Sequence, residues 1–388
     1  MLAVLASFPN PEPALPDGPD LDSLLRGLTA LPAFAGVARD QLALMPTTGL
    51  AHDHVTVEGL RLEGRAVLLR VPRQSQFAFN AADNLAYQAA CFERVAASAR
   101  GPRLFGVLAP EEGLPMGALA VERIDGRPPR LPADLRALAE AMARVHSLPL
   151  PPEGARAPLA DHRDPVAGAL AEIEAQAAFL PEAGLDPESA RAIAEERAWA
   201  RAYAAEIAEA GTPQPRALVL TDTHPGNFLI DSQGRAIIVD LEKALYGAPG
   251  IDLAHASVYS STTWDVATSA ELEIGDVAAF YARYLQVATE LSGAAWAARL
   301  RPWLLPLRRL LFLRAVTWCA KWQVLHARAR TADKAEADST EDWSAENSDP
   351  ALIAHVAGRV ALYLSPEVLA RMRSEWLTPG ALTDVLGE

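Results

Sequence analysis

The chain has 388 residues, 50% of them hydrophobic, and a formal net charge of −14, enough apolar material for a sizeable core and length enough for two or three domains. So acidic a balance argues against general nucleic-acid binding, which needs a basic face; it would favour a cationic partner, although an acidic surface also serves solubility alone. The two cysteines, Cys91 and Cys319, lie far apart without metal-ligand spacing, which points to a reducing, cytoplasmic setting and not to a disulfide scaffold.

From the N-terminus, residues 1–16 carry no basic region and are interrupted by Pro9, Pro11, Pro13 and Pro16. They are expected to form a loosely docked arm and not a secretory signal. Leu21 to Phe34 has helical spacing, and together these make an N-terminal arm and helix over 1–37. Short alternating runs follow at Gln41 to Leu44, Val55 to Val57, Leu60 to Leu62 and Ala66 to Val71, with turn residues between them, as in an antiparallel sheet. A helix is predicted over Ala82 to Ala97. Met116 to Ile124 reads as a last strand, broken by Asp125-Gly126-Arg127-Pro128-Pro129, so a first lobe is set at 38–125 and a second at 126–388.

In the second lobe Leu135, Leu138, Met142 and Val145 share one face of a helix ending near His146 and Leu148; His146 reads as a buried structural histidine. Residues 165 to 210, rich in Ala and Glu, predict covering helices. Helices are also expected from about Ile274 to Leu291 and from Ala294 to Arg328. The most apolar stretch, Leu304 to Val324, contains Arg308, Arg309, Arg314 and Lys321, too much charge for a membrane span. Residues 331–350 are acidic and poor in apolar side chains, which predicts a mobile loop. Leu352 to Leu369 resumes helical spacing.

The chemistry gathers between Ala217 and Asp252. Strands are predicted at Ala217 to Leu220, Asn227 to Ile230 and Ala236 to Val239, joined by the polar loop Thr221-Asp222-Thr223-His224-Pro225-Gly226 and a turn at Asp231-Ser232-Gln233-Gly234. The hairpin pairs Asn227 with Ile238 or Val239, which brings Asn227 close to Asp240, and Asp222 arrives on the loop before Asn227. Asn227 and Asp240 offer oxygen donors suited to Mg²⁺, and Asp222 can accept a proton from an attacking hydroxyl. A base, a metal that bridges phosphates and little covalent chemistry by the protein are what phosphoryl transfer needs.

Asp222-Thr223-His224-Pro225-Gly226-Asn227, then Val239-Asp240-Leu241-Glu242, then Tyr246-Gly247-Ala248-Pro249-Gly250-Ile251-Asp252-Leu253-Ala254, resembles the catalytic loop, metal loop and following segment of the aminoglycoside phosphotransferase and choline kinase superfamily. The resemblance implies an α+β, protein kinase-like two-lobed fold, with a small antiparallel β N-lobe and a large mainly α C-lobe. It implies an ATP-dependent small-molecule kinase that transfers the γ-phosphate to a substrate hydroxyl. By position, Asp222 is the base, Asn227 and Asp240 hold Mg²⁺, and Asp252 steadies the catalytic loop.

In the first lobe the resemblance places Thr48 and Gly49 in the loop over the ATP phosphates, Arg70 on the phosphates, and backbone groups from Glu122 to Ile124 at the adenine. Arg70 is otherwise a solvent-facing strand arginine. The family's acid on the following helix falls at Tyr87 or Gln88, and Glu93 is offered in its place. Leu220 stands where the family commonly has histidine, a change of packing. His224 reads as ordering the loop. Glu242 is either a support to the metal site or a surface acid. Trp264, Trp318 and Trp322, with Asp265 and Glu242, are either buried core or a pocket for a cationic substrate. An alternative is a nucleotide-binding pseudokinase acting as a scaffold, motivated by Leu220, the sparse glycine loop and the missing acid. Phosphorylation of proteins ranks last, because Asp240 runs to Asp252 without room for an activation segment.

Overall fold

The computed structural model describes residues 18–46, 52–75, 77–331 and 350–387; the expectations for the N-terminal arm, for Thr48 and Gly49, and for the segment 332–349 fall outside the described residues. The chain divides into two compact units. One holds the residues up to Ala89 together with Arg103–Arg123, and the other holds Ala90–Pro102 and the residues from Ile124 onward.

The first unit begins with α1 (Leu21–Thr29), capped by Asp20, whose side chain accepts a hydrogen bond from Asp22 N–H and so satisfies one donor the helix start leaves open. Its sheet contains β1 (Leu42–Leu44), β2 (His52–Leu62), β3 (Arg65–Pro72), β4 (Leu104–Leu108) and β5 (Ala118–Glu122), in the order β1-β2-β3-β5-β4. Every pairing is antiparallel. β2 runs unbroken where the sequence suggested two strands, because a register shift between Val57 and Arg61 absorbs the interruption and Gly59 takes φ +74° there, a conformation glycine adopts without strain. β4 was not anticipated. Its Gly106 leaves room for Leu31, whose side chain a Cβ would meet at 2.5 Å. Leu24, Leu28, Phe34, Val55, Leu69 and Val71 belong to the core beneath the sheet.

The helix predicted near 82–97 is α2 (Ala81–Ala96), and the division between the units runs through it. Its C-terminal half belongs with the second unit for a local reason: Cys91 Sγ lies 3.7 Å from Ala244 O and Arg94 donates to Ala155 O at 2.8 Å.

In the second unit β6 (Gly126–Arg127) leads to α3 (Leu135–His146), α4 (Pro165–Ala177) and α5 (Pro187–Ala210), followed by β7 (Ala217–Val219), β8 (Phe228–Asp231), β9 (Ala236–Ile238) and β10 (Leu245–Gly247). Asp164 and Asp186 cap α4 and α5. After the strands come α6 (Pro249–Ser257), α7 (Tyr259–Thr262), α8 (Ile274–Ser292), α9 (Ala294–Thr331), α10 (Pro350–Tyr363), α11 (Pro366–Leu377) and α12 (Ala381–Leu386). The single C-terminal helix expected from the spacing is thus two, because Ser365 accepts from Val368 N–H and Pro366 opens a new helix.

The three strands read as one small sheet fall into two. β8 pairs with β9 and β6, whereas β7 pairs only with β10. α9 lies against α4, α6 and α8, with Leu307, Leu310, Phe312 and Val316 buried. Two of its charges are paired at buried positions: Arg308 with Glu375 and Arg309 with Glu196. Among the described residues no helix is long and apolar enough to cross a membrane.

Candidate active site

The loop Leu220 to Gly226 leaves β7, and its shape is imposed from α6. Asp252 is fully buried. It accepts from Leu220 N–H at 2.7 Å and Thr221 N–H at 2.8 Å, and its own backbone carbonyl accepts from Thr223 Oγ1 at 2.7 Å. Thr221 sits at φ +62°, where a β-branched residue is disfavoured. Its hydroxyl donates to Lys243 O at 3.0 Å. The strain is therefore held by a carboxylate and a cross-loop hydrogen bond, the pattern of a conformation that surroundings over-determine.

His146 closes the network from below. Its Nε2 lies 3.0 Å from Asp252 Oδ2 and its Nδ1 3.0 Å from Tyr284 OH. A carboxylate only accepts, so Nε2 carries the proton and the tyrosine hydroxyl donates to Nδ1. Burial raises the Tyr284 pKa, with Asp252 adding to it, which keeps that hydroxyl a donor. The buried structural histidine of the sequence reading is thus tied to the residue that shapes the loop.

Asp222 stands on this scaffold with about a fifth of its side chain exposed (21%). Its Oδ2 accepts from Lys243 Nζ at 2.7 Å, and its Oδ1 lies 3.9 Å from His224 Nε2 and 3.8 Å from His255 Nδ1. Burial works to raise its pKa, but Lys243 and the two histidines outweigh it and hold the carboxyl at about 2. Asp222 is a carboxylate at any ordinary pH. Burial alone would lower Lys243; Asp222, followed by Glu242 and Asp240, raises it instead. The contact of Asp222 with His255 is not an ion pair. Thr223 N–H donates to His255 Nδ1 at 3.0 Å, so that nitrogen is unprotonated, and burial pushes the imidazole down to about 3 despite Asp222.

Asn227 Nδ2 donates to Asp222 O at 2.9 Å, which fixes the amide's orientation and makes Oδ1 the atom with which it could ligate a cation. Val239 N–H donates to Asn227 O at 3.0 Å, and Phe228 pairs with Ile238. Asp240, half-buried, follows one residue beyond. An amide oxygen and a carboxylate at the end of one hairpin fit a hard divalent cation that keeps other positions for water and phosphate. Among the described residues no group of three or more His, Cys, Asp or Glu side chains could hold a metal ion, so such a cation would rest on Asn227, Asp240 and oxygens of substrate or water.

The remaining expected residues scatter. Glu242 is 4% exposed and is not a surface acid. Asp265 folds its Oδ1 back onto Ala267 N–H and Thr268 N–H, while its Oδ2 lies 3.0 Å from where a Cβ on Gly226 would stand. Trp264 and Trp318 meet edge to face at 5.9 Å. Trp322 instead stacks on His326 at 4.6 Å and is buried in the same core cluster.

In the first unit Arg70 is 6% exposed, which removes the solvent-facing alternative. Its Nη2 lies 3.2 Å from His52 Nδ1, and His52 Nε2 lies 3.3 Å from Gln88 Oε1. Arginine can only donate, so His52 accepts on Nδ1 and donates from Nε2 to the glutamine. Gln88 of α2 therefore reaches Arg70 through a histidine. Glu93, offered from its place in the sequence, is exposed and is corrected. Glu122 pairs with Arg65 through its side chain, and its N–H donates to Arg103 O at 2.8 Å, as Arg123 N–H does to Ala66 O at 2.8 Å. Ile124 begins the second unit's main segment.

Sequence reasoning did not single out Lys243, His255 or His52. Lys243 had a signal: it directly follows Asp240-Leu241-Glu242, where a cation has two acids to answer.

No curated protein matches the sequence. Solved structures with a similar fold include choline kinase from Cryptosporidium parvum Iowa II, with 12% identity, a TM-score of 0.53, and coverage of 93% of this chain and 98% of that one. Plasmodium vivax ethanolamine kinase has 11% identity and a TM-score of 0.51, covering 86% and 85%. Macrolide 2'-phosphotransferase from Brachybacterium faecium has 17% identity and a TM-score of 0.50, covering 88% and 97%. At such identities the likeness speaks to the fold, which is the α+β, protein kinase-like one. The sequence profile described as the phosphotransferase enzyme family matches residues 54–299, more than half of the chain and all of the loop, hairpin and helix just described. The chain belongs to the phosphotransferase enzyme family.

Proposed function

We propose that the protein is an ATP-dependent small-molecule kinase that transfers the γ-phosphate to a hydroxyl of its acceptor. The observation that carries this reading is Asp222: an ionised carboxylate, partly open to solvent, on a loop whose strained shape Asp252 enforces. Asp222 orients the acceptor hydroxyl and takes its proton as the oxygen attacks, and a group fixed in this way supplies both positioning and general-base catalysis. Asn227 and Asp240 would hold Mg²⁺, which when bound draws charge from the phosphate oxygens. Arg70, fixed by His52, is the proposed phosphate-binding arginine, since a guanidinium stays charged even when buried. Backbone groups at Glu122 and Ile124 are the proposed adenine contacts.

The structural neighbours are named for choline, ethanolamine and a macrolide, and the acceptor proposed here is a small hydroxyl compound of that kind. The net charge of −14 supports a cationic one, with Asp265 and Trp264 on the segment that approaches Gly226. Incubation of the purified protein with ATP, Mg²⁺ and a panel of amino alcohols, aminosugars and macrolides, followed by phosphorus NMR, tests the reading. A phosphomonoester that forms with the wild type and not with Asp222→Asn is expected. ATP binding without turnover, unchanged by Asp222→Asn, would instead favour the scaffolding pseudokinase.

A further inference from the structure

We propose that Lys243 is a further catalytic residue, a cation that stabilises the transferring phosphoryl group from a position set by Asp222. The inference rests on the kinase reading above. Lys243 Nζ lies 2.7 Å from Asp222 Oδ2, and about a third of its side chain is exposed (34%), so the residue stands beside the base without being sealed in the core. The backbone of the same residue is pinned by Thr221 Oγ1, which donates to its carbonyl at 3.0 Å. The backbone is held on one side, and the ammonium at the end of its four-carbon stem rests on Asp222.

The distances make this more than an ion pair. A hydroxyl that gives its proton to Asp222 must lie within about 3 Å of a carboxylate oxygen. Oδ2 is occupied by Lys243, so the hydroxyl takes Oδ1, between His224 and His255. The phosphorus it attacks lies within about 3.5 Å of that hydroxyl in a reactive arrangement. A flexible ammonium on the other oxygen of the same carboxylate is then within one side-chain rotation of the phosphoryl oxygens. Lys243 pairs with Asp222 and follows Asp240 by three residues in the chain, so its charge stands at the proposed base, on the segment that carries the proposed metal ligand.

In the step itself the acceptor O–H bond breaks and its proton goes to Asp222 Oδ1. The freed electron pair forms the new O–P bond, and the bond from the γ-phosphorus to the bridging oxygen breaks with its pair left on ADP. Lys243 gives up no proton. It answers the charge spread over the transferring oxygens, the largest demand of phosphoryl transfer. In the resting protein it neutralises Asp222 instead, which keeps two charges of opposite sign satisfied at a partly buried site.

The plain alternative is that Lys243 only steadies Asp222, and the two differ in rate. With a wild type that phosphorylates its acceptor, Lys243→Ala is expected to lower kcat by about 10²- to 10³-fold, the scale of losing one preorganised electrostatic contact, with the acceptor KM little changed. Lys243→Arg is expected to regain a large part of the loss, and added methylammonium to raise the kcat of Lys243→Ala, which a fold defect would not allow. A Lys243→Ala kcat within threefold of the wild type overturns the proposal. So does a loss that neither arginine nor methylammonium relieves. If the wild type itself transfers no phosphate, the kinase reading has failed and this inference fails with it; a competent wild type with an equally competent Lys243→Ala sinks the lysine alone.

Discussion

Thr221 holds a left-handed backbone, φ +62°, and its N–H donates to Asp252 Oδ1 at 2.8 Å. The neighbouring Leu220 N–H and the His146 imidazole share the other oxygen. Removing the carboxylate with Asp252→Ala leaves the N–H groups of Leu220 and Thr221 and the Nε2–H of His146 without their acceptor, while His146 Nδ1 keeps Tyr284. The expected cost is about 2–4 kcal/mol, since buried donors lose their full solvation, together with a collapse of phosphotransfer. Urea unfolding checks the first; a midpoint like that of the wild type would show that the loop keeps its shape unaided.

Thr221 itself separates strain from bonding. A non-glycine residue in this region costs about 1–2 kcal/mol, so Thr221→Gly relieves the strain while it removes the hydroxyl bond to Lys243 O, and its stability should stay close to that of the wild type. Thr221→Val keeps the strain and loses the bond, and should be less stable than the glycine variant by about 1–2 kcal/mol. Thermal unfolding of the pair decides it, and a valine variant equal to the glycine variant would contradict the account.

How much of this could be read from the sequence follows the reach of each interaction. The β8–β9 hairpin was legible, because the turn at Asp231 to Gly234 and the flanking apolar runs are local, and so was the pairing of Asn227 with Val239. The contacts that govern the loop were not. His146 meets Asp252 across a long interval of chain, and helical periodicity says which face is apolar but not which loop it supports. Glu93 was chosen by its offset along α2, and the face it occupies is the exposed one. Gln88, on the buried face, reaches His52. β7 looked like a partner of β8, but the turn at Thr221 redirects the chain and gives β7 to β10. Helix-borne charges such as Arg308 read only as arguments against a membrane, since nothing local announces Glu375 as a partner.

Acid should reveal His255. Its pKa in the folded protein is about 3 against an ordinary 6.5, so below pH 6.5 the unfolded chain takes up this proton before the folded one. Stability therefore falls as pH drops from about 6.5 toward 3. Asp222, lowered from 3.8 to about 2, loses its contribution only as the pH falls below about 3.8. Urea midpoints between pH 7 and 4 should decline in the wild type and decline less in His255→Gln, whose amide oxygen can still accept from Thr223 N–H. Equal slopes would mean that His255 titrates normally.

Gly226 has no room for a side chain. A Cβ there would meet His224 Cε1 at 2.9 Å, His224 Nδ1 at 3.0 Å and Asp265 Oδ2 at 3.0 Å. The neighbours are side chains at a partly exposed loop, so Gly226→Ala should fold, at a cost of about 1 kcal/mol. It displaces the histidine beside Asp222, and small misplacements in a catalytic arrangement cost about 10²-fold in rate. A stable Gly226→Ala with wild-type kcat would show that the ring's position does not matter.

Arg308 tests whether the C-terminal helices support the site's scaffold. It is fully buried, donates from Nε to Glu375 Oε2 at 2.6 Å and from Nη2 to Oε1 at 3.0 Å, and reaches Ser257 Oγ at 2.9 Å and Ser257 O at 3.3 Å. Ser257 ends α6, the helix that carries Asp252 and His255, and Glu375 lies on α11. Removing one partner of a buried pair strands the other, so Glu375→Gln should destabilise the protein by about 3–5 kcal/mol. Replacing both with apolar residues of similar size, as in Arg308→Met with Glu375→Leu, should recover much of that loss, because neither charge is then left alone in the core. The double variant still gives up the donor to Ser257, so its stability should remain somewhat below that of the wild type. Urea unfolding of the three proteins measures the order, and a double variant no more stable than Glu375→Gln would mean that the pair's net attraction, and not a stranded charge, sets the cost.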